Sequence, residues 1–112
     1  MTEPIISKDP LYQMLANEDI KGFNAARARG QETNLRGCNF RGLDLRGLNA
    51  DGLDLRDAYF RNANLRGIDF RRSLLEGASL GDAQVSGCYF PKNIATDEIV
   101  ASVIQGIRMR VR

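Results

Sequence analysis

Apolar and polar positions recur with a period of five through the middle of the chain. Written in fives from Thr33, the third column holds Leu35, Phe40, Leu45, Ala50, Leu55, Phe60, Leu65, Phe70, Leu75, Leu80, Val85 and Phe90, all but Ala50 large and apolar. The second column is mostly Asn or Asp, the fourth mostly Arg and the fifth mostly Gly. Residues five apart on an α-helix lie about 500° apart, so this apolar column would spiral around a helix instead of forming a stripe. A simple strand alternates every two residues and fails as well. A unit with one short extended side and one sharp corner fits both facts. The fifth-column glycines suit a corner that needs φ > 0, and Asp57, Asn62 and Asp82 tolerate that region better than most residues. Arg72 and Lys92 do not, which predicts a different turn at those two corners.

With these units the chain resembles the pentapeptide-repeat family, whose repeats read roughly A(D/N)LXX. The resemblance covers about residues 33–93, twelve units. It implies a mainly β fold: a right-handed quadrilateral β-helix of about three coils, four units to a coil, capped by short α-helices at both ends. Residues twenty apart then lie above one another at about 4.8 Å, the spacing of a β ladder. The interior columns become Leu35/Leu55/Leu75, Phe40/Phe60/Leu80, Leu45/Leu65/Val85 and Ala50/Phe70/Phe90. Leu43, Leu48 and Leu53 depart from the family by filling the first column with bulk, and Ala50 between the last two compensates in volume. The expected division is an N-terminal helical cap over 1–32, the repeat stack over 33–93 and a C-terminal capping helix over 94–112, in one compact domain.

Stacked repeats bury apolar surface only against neighbours, so both ends need covering. Asp9-Pro10 reads as an N-cap followed by a first helical residue. Leu11, Met14 and Leu15 form one apolar patch, Ile20 and Phe23 begin another, and Gly30 fits a stop, which predicts helices over about 10–17 and 19–29. Near the other end Thr96 is positioned to cap a helix with Asp97 and Glu98 in its first turn. Its apolar face would comprise Ile99, Val100, Val103, Ile104 and Ile107, with Arg108, Arg110 and Arg112 at its C-terminal end. That face either closes the stack or forms a homodimer interface.

Composition narrows the function classes. The chain has 112 residues and a formal charge of +2, too balanced to demand a nucleic acid or a membrane surface. It contains no His, which removes the commonest general base, and only two Cys, so a metal site, a cofactor and an enzymatic role are not expected. Met1-Thr2-Glu3-Pro4 lacks the basic and apolar regions of a secretion signal, and no apolar run is long enough to span a bilayer. Cys38 and Cys88, both first-column, are fifty residues apart and so on opposite sides of the square, beyond the roughly 7 Å reach of a disulfide. Two buried thiols agree with a reducing compartment, the bacterial cytoplasm.

The candidate interaction surface lies on the outside. Arg36, Arg41, Arg46, Arg56, Arg61, Arg66 and Arg71 form a basic belt in the fourth column, and residues 36–72 hold eight basic and five acidic residues. Stacked like charges repel unless neutralised, and Asp44, Asp54 and Asp69 are the nearby acids. Tyr59, Leu74 and Tyr89 break the polar rule of the second column and should stand outside, where Tyr favours protein contacts. The expected function is a non-enzymatic scaffold or protein–protein interaction module of unidentified partner. The alternative is a nucleic acid or other anionic partner bound by the arginine belt. Family resemblance adds a third role, a DNA-like acidic rod that protects gyrase. Three coils give only about 15 Å of rod, and the belt has the wrong sign for a DNA mimic.

Overall fold

The computed structural model describes residues 3–112. Met1 and Thr2, where the expected N-terminal cap and the reading of the leader begin, lie outside the described residues. Through the repeat each unit closes a β-turn that runs from the third column to the next unit's first column. The first-column amide donates back to the third-column carbonyl, as in Leu43 to Phe40, Ala63 to Phe60 and Ala83 to Leu80. The fifth column is the third residue of that turn, where a type II turn needs φ > 0. Gly42 has φ 74°, and Asp57, Asn62 and Asp82 have φ 62°, 61° and 55° in the same role. Arg72 does not enter this region, yet the Ser73 to Phe70 bond still closes its turn. At Lys92 the turn slips by one residue, to a bond from Ile94 to Pro91.

Second-column residues twenty apart form parallel β-bridges, among them Asn39 to Tyr59 to Ser79, Asn64 to Gln84, and Asp69 to Tyr89. Each bridge is isolated. The expectation of a mainly β, right-handed quadrilateral β-helix is therefore corrected: among the described residues there is no β-strand and no sheet, and helix is the more abundant regular structure. The reason is arithmetic. A turn uses four of every five residues, so one residue per side stays extended, and one residue cannot make a ladder.

Packing inside the turns follows the third and first columns. Leu35, Leu55 and Leu75 are buried, as are Phe40, Phe60 and Leu80, while Val85 and Phe90 in the last circuit are partly buried. The Phe40 and Phe60 rings stack with centroids 5.2 Å apart, and Phe70 and Phe90 at 5.9 Å. Leu48, Ala50 and Leu53 are all buried together.

Three helices complete the chain: α1 Pro10–Ala16, α2 Ile20–Ala28 and α3 Thr96–Gln105. Asp9 caps α1 through the Leu11 amide, and Asp19 caps α2 through Gly22. Gly30, at φ 88°, follows the α2 cap residue Arg29, and the Gln31 amide closes onto Ala26. Leu11, Leu15, Phe23 and Ala26 are buried, and so is Tyr12, which the apolar patterning missed. Tyr12 sets its ring 5.6 Å from Phe40 and its hydroxyl donates to the Asn39 carbonyl at 2.7 Å. Ile5 bridges to Cys38 and pairs with Gly37 and Asn39, so the first circuit has a partner on its outer edge.

The other end differs from the expectation. Thr96 makes no cap; Ala95 is the N-cap residue, and it has no side-chain bond to the helix. The helix stops at Gln105 because Gly106 turns left-handed, φ 71°. The following segment returns across the last circuit: the Met109 amide donates to the Ala78 carbonyl, the Gly77 amide to that of Met109, and Arg108 bridges antiparallel to Ser79. Met109 is buried beneath. Ser102, fully buried, ties α3 down by accepting from the Leu80 amide at 2.8 Å and donating to the Ile107 carbonyl at 2.6 Å. Of the apolar face assigned to this helix, Ile99 and Val103 pack inward, whereas Val100, Ile104 and Ile107 are exposed.

Candidate functional site

The second column does more than bridge. Its Asn and Asp side chains accept the amide two residues on: Asn39 from Arg41, Asp44 from Arg46, Asp54 from Arg56 and Asp69 from Arg71. This local acceptor pre-forms each corner and explains the Asn/Asp preference. Where the acceptor is Asp, the arginine that supplies the amide also folds back onto the carboxylate. Arg46, Arg56 and Arg71 each place Nε and Nη2 on the two oxygens, at 2.7–3.0 Å. The arginine beside each carboxylate holds Asp44 and Asp69 down at about 2 and lowers Asp54 as well.

The rest of the belt is partnered differently. Arg36 meets Asp57 and Arg61 meets Asp82, both at 3.4 Å, across successive circuits. Arg41 donates from Nε to Asn39, and the Arg66 amide donates to Asn64. The fifth-column acids Asp57 and Asp82 escaped the sequence reading as partners. Their signal is the offset of twenty-one residues, one circuit plus one position, from each arginine.

Of the three second-column aromatic and aliphatic residues, Tyr59 is half-buried, with Arg108 over its ring at 5.8 Å and donating to its hydroxyl at 2.9 Å. The C-terminal segment thus occupies its surroundings. Leu74 and Tyr89 stand outside, 52% and 57% exposed. Leu74 lines a cleft that Tyr89 adjoins through Arg71. This open cleft of about 960 Å³ is lined by Asp51, Asp69, Arg71, Arg72, Leu74 and Lys92 among others. Arg71 lies over the Tyr89 ring at 4.6 Å and links that ring to the cleft. Arg72 and Lys92 were not among the candidate site residues. Their signal was present all the same, since both put a cation where the repeat puts Gly, Asp or Asn.

The two cysteines are free; Cys38 is buried and Cys88 partly so, with its Sγ 2.8 Å from the Leu65 carbonyl. Burial pushes the Cys38 thiol up to about 11 and raises Cys88 too. Neither is a poised nucleophile. No helix among the described residues is long and apolar enough to cross a membrane.

A family model described as pentapeptide repeats matches the chain with 8 copies, over residues 19–48, 27–61 and 54–90. No curated protein and no solved structure matches it.

Proposed function

This chain belongs to the pentapeptide-repeat family, and from that premise we propose that it is a non-enzymatic protein-interaction module that binds through the outside of its repeat. Repeats of this family are commonly protein-interaction modules. The observation that carries the reading is the pair Leu74 and Tyr89, more than half exposed at positions where the repeat, Tyr59 apart, otherwise puts polar residues. Both are fixed by backbone bridges, Leu74 to Asp54 and Tyr89 to Asp69, so a partner meets them pre-ordered. In this reading residues 33–93 present the surface, while 1–32 and 94–112 cover the ends. We place its action in a reducing compartment, the bacterial cytoplasm, where two free thiols persist unpaired.

Nucleic-acid binding by the whole belt is the weaker reading, because Arg36, Arg46, Arg56, Arg61 and Arg71 already face carboxylates. A homodimer through α3 has its own support in Val100 and Ile104, 48% and 71% exposed one helical turn apart. Sedimentation of the wild type and of Ile104→Lys decides it: a dimer that the substitution dissociates supports the contact, and a monomer at all concentrations removes it.

The module reading is tested by cross-linking in native extract with wild type and a Leu74→Asp/Tyr89→Asp variant of unchanged fold. The expected result is a discrete cross-linked protein species that the variant loses. Identical cross-linking by the two proteins would overturn it.

A further inference from the structure

The corner beside Leu74 brings two cations, Arg72 and Lys92, into one cleft with an exposed apolar side chain. Of the belt arginines, Arg36, Arg46, Arg56, Arg61 and Arg71 face carboxylates, Arg71 that of Asp69 at 2.7 Å, whereas among the described residues Arg41 and Arg66 stand singly without one. Arg72 and Lys92 line the same cleft; among the described residues neither side chain is within ion-pair distance of a carboxylate, although the Arg72 charge helps to lower Asp69. Both take fifth-column places with negative φ, one by a changed turn and the other by the slipped turn after Pro91. The backbone has thus been altered at both positions, and the result is a pair of cations on one corner.

We propose that this cleft receives an acidic segment of a partner protein, with its carboxylates on Arg72 and Lys92 and its apolar side chains on Leu74 and Tyr89. The inference rests on the interaction-module reading and names the partner's chemistry. The cleft sets three cations, Arg71, Arg72 and Lys92, against two acids, Asp51 and Asp69, and with Arg71 held by Asp69 an incoming carboxylate can gain charge-assisted hydrogen bonds from Arg72 and Lys92. Asp51 and Asp69 line the same cleft and would oppose a continuous phosphate backbone. A peptide can space its carboxylates around them. The exposed Leu74 and the Tyr89 ring, polarised by Arg71 over its face, suit apolar residues interleaved with the acids.

The test is fluorescence anisotropy with a short labelled peptide of Glu-Leu-Ser triplets. A Lys-Leu-Ser peptide and a single-stranded DNA of equal length serve as comparisons. Wild type is measured beside Arg72→Glu/Lys92→Glu and beside Arg41→Glu/Arg66→Glu, a belt control away from the cleft, all with matched melting curves. The acidic peptide should bind at low salt, weaken as salt rises, and lose about tenfold or more in affinity with the cleft variant but little with the control. Absence of peptide binding, equal loss in both variants, or tighter binding of the DNA would overturn the proposal. If the peptide fails while Leu74→Asp/Tyr89→Asp still loses the native cross-link, the acidic-segment inference falls and the module reading stands.

Discussion

Phe60 and Arg61 are neighbours in sequence with opposite fates. Phe60 is 1% exposed and stacked on Phe40, with Phe70 edge-on at 6.4 Å, while Arg61 stands outside opposite Asp82. Phe60→Ala leaves a cavity that a tightly bridged frame cannot collapse, at a cost of about 3–5 kcal/mol. Against a total stability of about 5–15 kcal/mol for a small domain, this should unfold the protein or lower its melting point steeply. Arg61→Ala breaks an exposed pair worth at most about 1 kcal/mol and should melt close to wild type. Equal melting points for the two would mean that the inward and outward columns are exchanged. Carboxylates give a second residue-scale expectation. Asp44 and Asp69 sit at about 2 in the folded protein, below the ordinary 3.8. A depressed carboxyl stabilises the fold above its unfolded pKa, and the gain disappears as pH falls through the folded value. Stability should therefore drop between about pH 4 and pH 2, less steeply in added salt. Asp44→Asn/Asp69→Asn keeps both turn acceptors and should flatten this drop in an acid titration followed by circular dichroism; an unchanged slope would contradict the pairing.

At the level of elements, the turns were the most legible feature and the C-terminal segment the least. Apolar residues every fifth position with Gly, Asp or Asn at the corner state a repeating turn almost directly. The mainly β assignment failed because periodic pairing does not reveal how many residues per unit remain extended; here one does. The N-terminal helices were readable because Asp9, Pro10 and Gly30 punctuate them. On α3 the apolar face was read at the wrong angle, because Ser102, a small polar residue, proved to be its innermost side chain. Nothing in a hydrophobic pattern marks a serine as buried; its two partners, the Leu80 amide and the Ile107 carbonyl, come from different parts of the fold. Ser102→Ala leaves a buried amide without its acceptor, a loss of about 1–3 kcal/mol. Calorimetry should show that loss, and hydrogen exchange should show faster opening of α3 and the 107–112 segment. A melting point equal to wild type would remove Ser102 as the anchor.

For the whole molecule, the site depends on register. The belt was legible as a list of arginines, but its neutralisation was only half legible: Asp44, Asp54 and Asp69 were foreseen, while Asp57 and Asp82 needed the offset between circuits. The cleft was not foreseen, because Arg72 and Lys92 appeared as exceptions to a turn rule and not as residues brought to one place. Leu74 comes to line that cleft and Tyr89 to adjoin it through Arg71 because units twenty residues apart superpose and four units close a circuit. A shift by one unit would move Tyr89 to another side and dissolve the corner. The most direct measurement is therefore of scalar couplings across backbone hydrogen bonds in isotope-labelled protein. The account predicts couplings from the Gly42 amide to the Arg61 carbonyl, from Phe40 to Tyr59 and from Gly67 to Ser86, bonds of 2.8, 2.8 and 3.0 Å. Couplings from these amides to carbonyls at any other sequence separation would contradict the stacking, and with it the corner on which the proposed contact stands.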